Sequence, residues 1–132
     1  MPDYLKPVLD KELDTISALG LAHVGDAVFE LMVRTWLCTR GISSAKHLHD
    51  GTVEIVSAKA QASAAKRLLP KLSTEEIAIY KRGRNAHVNS VPQASTLGEY
   101  HAATGIEALF GYLYLKGETQ RLGELFKIVI EE

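Results

Sequence analysis

The sequence predicts an all-α fold. Apolar residues recur at helical spacing through most of the 132 residues, and no stretch alternates apolar with polar long enough to make a strand. Two of the apolar runs are also preceded by Ser or Thr with Glu three residues on, the spacing of a capping box.

The elements follow in order. A first long helix is predicted over residues 15–39, closed by a basic residue and a glycine, Arg40 and Gly41. Ser43 and Ser44 can cap a short helix reaching His49. Asp50 and Gly51 read as a turn, after which Thr52 caps a helix ending at Leu69 and Pro70. Ser73 with Glu76 opens a helix to Arg84, and residues 85–94, with Pro92, read as a loop. Thr96 with Glu99 opens a helix to Lys116, Gly117 ends it, and an amphipathic helix covers 118–130. With no linker, repeat or low-complexity segment, a single domain over 1–132 is expected.

Hydrophobic residues make up 46% and charged residues 23%, a globular balance. A chain of this length buries roughly 65–70% of its unfolded surface, enough to need no covalent staple. The single Cys38 excludes an intrachain disulfide and a cysteine-rich zinc site; within an apolar helical pattern it is expected to be a buried free thiol. His47 and His49 stand two apart on a short helix, where their side chains diverge, so they are expected to be exposed and not a metal pair. The first residues carry no apolar signal core, and no run approaches the ~18 residues of a membrane span, so a soluble cytoplasmic protein is expected. Formal net charge is −1, but seven cations and two glutamates between Ile55 and Val91 give that stretch +5 and the remainder −6. A basic middle in an acidic frame suits a polyanion bound on one face, and suits equally a solvated face with local ion pairs.

Two carboxylates stand out. On a wheel of about 100° per residue with Leu21 at the origin, Asp26 falls near 140°, beside the apolar Ala22, Phe29 and Val33. Val24, Val28, Leu31 and Met32 cluster around the origin, and the polar sector of Glu30, His23 and Arg34 is narrow. Such a helix is expected to be central and mostly buried, with Asp26 at the interior edge, where a lone charge is costly. Glu107 shares its face with Ala103, Thr104, Gly111 and Tyr114, and Gly111 would let another helix come close. The pattern leaves two readings open: carboxylates satisfied by arginine or tyrosine, or a pair that shares a divalent cation.

These residues resemble a known family. Leu21-Ala22-His23-Val24-Gly25-Asp26-Ala27-Val28-Phe29-Glu30 resembles the ribonuclease III signature, centred on Leu-Gly-Asp-(Ala/Ser)-Val. Thr104-Gly105-Ile106-Glu107-Ala108-Leu109-Phe110-Gly111 resembles the second motif, Asp-x-x-Glu-Ala-x-x-Gly. Lys81-Arg82-Gly83-Arg84-Asn85-Ala86 and Gly111-Tyr112-Leu113-Tyr114-Leu115 are closer to the Mini-III branch, which consists of the nuclease domain alone. The resemblance covers nearly the whole chain. It implies a helical endonuclease domain, a symmetric homodimer with one centre per subunit, and cleavage of double-stranded RNA to 5′-phosphate and 3′-hydroxyl ends. For the Mini-III branch it implies action on the stem of precursor large-subunit (23S) ribosomal RNA, with a ribosomal protein as candidate accessory. Asp26 and Glu107 match the catalytic magnesium ligands of the family, with Mn²⁺ as a substitute for Mg²⁺.

The chain departs from the larger enzymes at three places. They carry glutamate where it has Ala22, aspartate where it has Thr104, and a further glutamate on the intervening helix, where it reads Ser57-Ala58-Lys59-Ala60-Gln61. Mini-III proteins show the same thinning. Glu30, one turn beyond Asp26, and Thr104 are left as candidate outer-shell partners. Lys59, Gln61, Lys81, Arg82, Arg84 and Asn85 are the candidate RNA contacts, Arg84 for a phosphate and Asn85 for a 2′-hydroxyl. A catalytically inactive double-stranded RNA binder and a structural, ribosome-associated dimer are the alternatives; retention of both Asp26 and Glu107 weighs against the first.

Overall fold

Capping side chains set most of the helix limits. In the computed structural model, which describes residues 2–86 and 96–131, Ser17 accepts from the Gly20 amide and starts α1, Ala18–Thr39. Ser44 caps α2, Ala45–Val56, and Ser57 caps α3, Ala58–Leu68. The capping boxes of Ser73 with Glu76 and Thr96 with Glu99 are both formed, opening α4, Thr74–Arg84, and α5, Leu97–Lys116. Gly117 ends α5 in the left-handed region at φ 86°, and α6, Thr119–Ile130, completes the fold. Short 3-10 turns cover Lys11–Thr15 and Leu69–Lys71. The fold is all-helical, as expected from the sequence.

Helix α5 is the central element. Residues on every side of it are buried, and α1, α3 and α4 pack around it. Phe29 of α1 meets Phe110 of α5 edge to face, with ring centroids 5.2 Å apart, and Leu68, Ile106, Leu109 and Leu125 fill the space beside them. Two helices come exceptionally near α5 because glycines stand at the contacts. A β-carbon on Gly25 would lie 1.6 Å from the Glu107 carbonyl oxygen, and one on Gly111 would lie 2.0 Å from that of Leu21. On the α4 side, a β-carbon on Gly83 would lie 2.6 Å from Ala108 Cβ. Helices that meet through side chains sit about 8–10 Å apart, so these contacts are available only to glycine.

Ion pairs fasten the periphery. Both oxygens of the buried Glu76 accept from the Arg121 guanidinium at 2.8 Å, and the same arginine donates to the Lys71 carbonyl. These bonds hold the Glu76 carboxyl below its usual range despite burial. Arg67 of α3 donates to the Val129 carbonyl at 2.8 Å, satisfying a carbonyl near the end of α6.

Several expectations are corrected. Asp50 and Gly51 are not a turn but part of α2; the break comes at Ser57, which both ends α2 and caps α3. A β-carbon on Gly51 would meet Leu37 at 3.1 Å, so this glycine serves packing. Thr52 is buried in mid-helix, its hydroxyl donating to the Leu48 carbonyl. Helix α1 is not buried all round. Leu21, Ala22, Gly25, Phe29, Val33 and Leu37 form its buried face, while Leu31 is 64% exposed. Cys38 lies outside the buried arc and is exposed, because α5 covers only one side of α1. His47 and His49 are exposed, as expected. The predicted loop over 85–94 falls mostly outside the described residues. Among those that are described, no helix is long and apolar enough to cross a membrane.

Because Gly111 faces the Leu21 carbonyl, Gly111→Ala forces α1 and α5 apart. A loss of about 3 kcal/mol or more is expected in chemical denaturation, at the upper end of overpacking costs. A Gly98→Ala control, at a position with open space around the β-carbon, should not lose stability.

Candidate active site

The close crossing of α1 and α5 brings two carboxylates together. Gly25 rests on the backbone carbonyl of Glu107, so the next residue along α1, Asp26, is delivered to the Glu107 side chain. The two carboxyls are near enough that Asp26 acts on the titration of Glu107. Asp26 is exposed and Glu107 half-buried, which corrects the expectation of an interior-edge Asp26. On the wheel Asp26 points toward the core side of α1, yet solvent reaches it. The pair therefore lies in an opening beside the α1–α5 crossing and not inside the core.

The electrostatics are unfavourable as they stand. Burial pushes the Glu107 carboxyl up to about 8, the adjacent Asp26 charge and hydrogen bond push in the same direction, and only the Gln61 amide opposes them. Gln61 is 2% exposed; its Nε2 donates to the Val56 carbonyl at 2.9 Å and to Glu107 Oε2 at 3.5 Å. Its Oε1 is buried without a donor, a state that typically costs about 1–3 kcal/mol.

The donor set fits a hard divalent cation. When both are ionised the two carboxylates repel one another, which a shared positive charge relieves, and both offer oxygen ligands. Among the described residues no group of three or more His, Cys, Asp or Glu forms a cluster that could hold a metal. Mg²⁺ is typically held by one or two carboxylates and keeps waters, so two suffice.

The other candidate residues divide. Glu30 pairs with Arg34 at 2.8 Å, and the Thr104 hydroxyl donates to the Tyr100 carbonyl, so neither hydrogen-bonds to the pair. Lys59 is exposed and lines an open groove with Lys66, Tyr80 and Glu99. Arg84 stacks over the Tyr80 ring at 5.9 Å and donates to Asn85 Oδ1, which places it at the same aromatic residue. Lys81, Arg82 and Asn85 are exposed around the end of α4. Gln61 is withdrawn from the surface by burial. The sequence reading missed Lys66 and Tyr80 as residues lining the same groove as Lys59; the i, i+7 spacing of Lys59 and Lys66 on one helix was the available signal.

The Ribonuclease III domain pattern matches residues 19–118, which contain Asp26 and Glu107. The chain belongs to the ribonuclease III family. Within it, the chain resembles the Mini-III branch. A Mini-ribonuclease 3 of Thermoanaerobacter sp. (strain X514) is 45% identical over 121 residues, covering 89% of this chain and 85% of that protein. One from Enterococcus faecalis is 38% identical over 124 residues, covering 92% and 94%. The fold is shared with a crystal structure of a Fusobacterium nucleatum protein, at a TM-score of 0.81 and 32% identity over 88% of this chain and 94% of that one. Family membership makes the chain an endoribonuclease, a hydrolase of RNA.

The raised Glu107 carboxyl gives a pH signature. Between its usual value of 4.5 and about 8 the folded chain keeps a proton that the unfolded chain has released. Without metal, this group therefore loses stabilising effect as pH rises through that window. In chelator, the unfolding midpoint of the wild type should fall relative to Glu107→Gln between about pH 5 and about pH 8. A difference that stays constant over this range would mean that Glu107 is ionised throughout.

Proposed function

We propose that this endoribonuclease cuts double-stranded RNA by divalent-metal-dependent phosphodiester hydrolysis, leaving 5′-phosphate and 3′-hydroxyl ends. The natural substrate in this reading is the stem of precursor 23S ribosomal RNA. The observation that carries it is the Asp26–Glu107 pair, brought together by two glycines and, among the described residues, without a cationic side chain among its hydrogen-bond partners. Its counter-charge is Mg²⁺, with Mn²⁺ as a substitute. When bound, the cation supplies Lewis-acid activation of water and offsets charge that builds on the phosphate oxygens. Asp26, open to solvent, is the ligand nearer the arriving phosphodiester, and Glu107 is the anchored one. Retention of the pair also disfavours an inactive RNA binder.

Duplex RNA is read by shape, through phosphates and 2′-hydroxyls. Lys59, which lines the same groove as Tyr80, and Arg84, over the Tyr80 ring, are assigned to phosphates, with Lys81, Arg82 and Asn85 extending the contact. One chain has one such centre, and cutting both strands calls for two chains related by a twofold axis. The outward side of α1 offers the surface. His23, Val24, Ala27, Val28 and Leu31 with Tyr114 line a shallow apolar depression of about 330 Å³. A permanent interface there would bury on the order of 1,500–2,000 Å² in total.

Asp26→Asn should fold normally and lose cleavage of a long RNA duplex in Mg²⁺ by at least about 10³-fold, judged by gel assay with a chelator control. Residual activity within tenfold of wild type would remove Asp26 from the centre. The same inactive variant should still bind duplex, and adding Arg84→Ala should lower the slope of log K against log salt by about one unit, following duplex DNA behaviour.

The apolar side of α1 predicts a dimer at micromolar concentration without RNA, measured by sedimentation. Leu31→Glu should shift it to monomer. A wild-type monomer that cuts both strands at full rate would refute the two-centre arrangement.

A further inference from the structure

Gln61 occupies a core position. With Ala64, Ala65 and Leu68 it forms the buried stripe of α3, at spacings of three, four and seven residues, where an apolar side chain would be ordinary. The amide instead spans two elements. Its nitrogen donates to the Val56 carbonyl at the end of α2 and to Glu107 on α5. The Val56 carbonyl is an obligate acceptor, so it fixes the orientation: exchanging nitrogen and oxygen would set two acceptors face to face. That orientation leaves Oε1 sealed from solvent with no donor. A glutamine that leaves its own oxygen unsatisfied is kept for its nitrogen.

We propose that Gln61 is a positioning residue of the nuclease site: its amide nitrogen, held by the Val56 carbonyl, orients the Glu107 carboxylate, and it does not touch RNA. The assignment rests on the reading of Asp26 and Glu107 as the cation-holding pair. It follows from two distances and from burial. At 2% exposure the side chain has no surface to offer a phosphate, while 3.5 Å from Glu107 Oε2 it is the neutral donor that steadies that oxygen. Without it, Glu107 loses the one amide donor that favours its ionised form and is free to turn toward a geometry that no longer matches Asp26.

The test compares wild type, Asp26→Asn and Gln61→Met, an unbranched replacement of similar length that suits a core position. Binding of Mn²⁺ alone is measured by calorimetry, unfolding temperature in chelator, and kcat and KM on an RNA duplex in Mg²⁺. For Gln61→Met the expectation is Mn²⁺ affinity weakened by about tenfold or more, as is typical when a ligand's supporting hydrogen bond is lost. A comparable fall in kcat should come with KM within about threefold and an unfolding temperature close to wild type. Near-unchanged stability is expected because the orphaned oxygen leaves together with the bond to Val56. Wild-type Mn²⁺ affinity and kcat in Gln61→Met would overturn the proposal. So would a raised KM at unchanged kcat, which marks an RNA contact. An unfolded Gln61→Met chain would overturn it as well, by giving the amide to the fold. If wild type itself binds no Mn²⁺, or Asp26→Asn binds it equally well, the reading of the carboxylate pair fails first, and the two failures are told apart.

Discussion

Contact between the backbones of α1 and α5 is the constraint on which the rest depends. Gly25 and Gly111 each stand where a β-carbon would collide with a carbonyl oxygen of the other helix. The crossing removes the freedom that side-chain packing would leave, and it sets Asp26 beside Glu107 whether or not their charges favour it. Burial of Phe29 against Phe110 in the same interface supplies the apolar gain that holds the arrangement. Two carboxyl groups are thus set side by side at the edge of a backbone-to-backbone crossing.

The chain handles two carboxylates withdrawn from solvent, one buried and one half-buried, in opposite ways. Glu76 receives two guanidinium bonds from Arg121 and caps its own helix, and its carboxyl is held low. Glu107 receives one long amide bond and a second carboxylate, and its carboxyl is driven up. The first arrangement is what a structural carboxylate looks like when its partners are present. The second is paired with a like charge, and that difference distinguishes the two carboxylates more clearly than burial does.

Helix α1 divides its surroundings. One side packs on α5, the arc near Asp26 opens to solvent, and the far side carries exposed Leu31 with Val24, Ala27 and Val28. The apolar surface and the carboxylate thus share one helix. Three cationic residues stand elsewhere, Lys59 and Lys66 lining the groove that includes Tyr80 and Arg84 over the Tyr80 ring. A near-neutral chain can therefore present a basic surface without a basic overall charge.

By itself, the sequence determined the helical class and most helix limits, and it singled out the two carboxylates. Capping boxes at Ser73 and Thr96, the left-handed Gly117 and helical periodicity act over a few residues, so they can be read without knowing what lies across the fold. Asp26 and Glu107 stood out as charges beside apolar residues of their own helices, but that pattern left their role open, and the resemblance to the ribonuclease III motifs suggested one. Other features depended on distant partners. Gly51 looked like a turn until Leu37 was seen against it, and Cys38 looked buried until α5 proved to cover only one side of α1. Gln61 looked like a surface polar residue, and only the packing of α3 on α5 turned its amide toward Glu107. Tertiary structure decided those because burial and hydrogen-bond partners are set by which helices meet, a non-local property that periodicity does not carry.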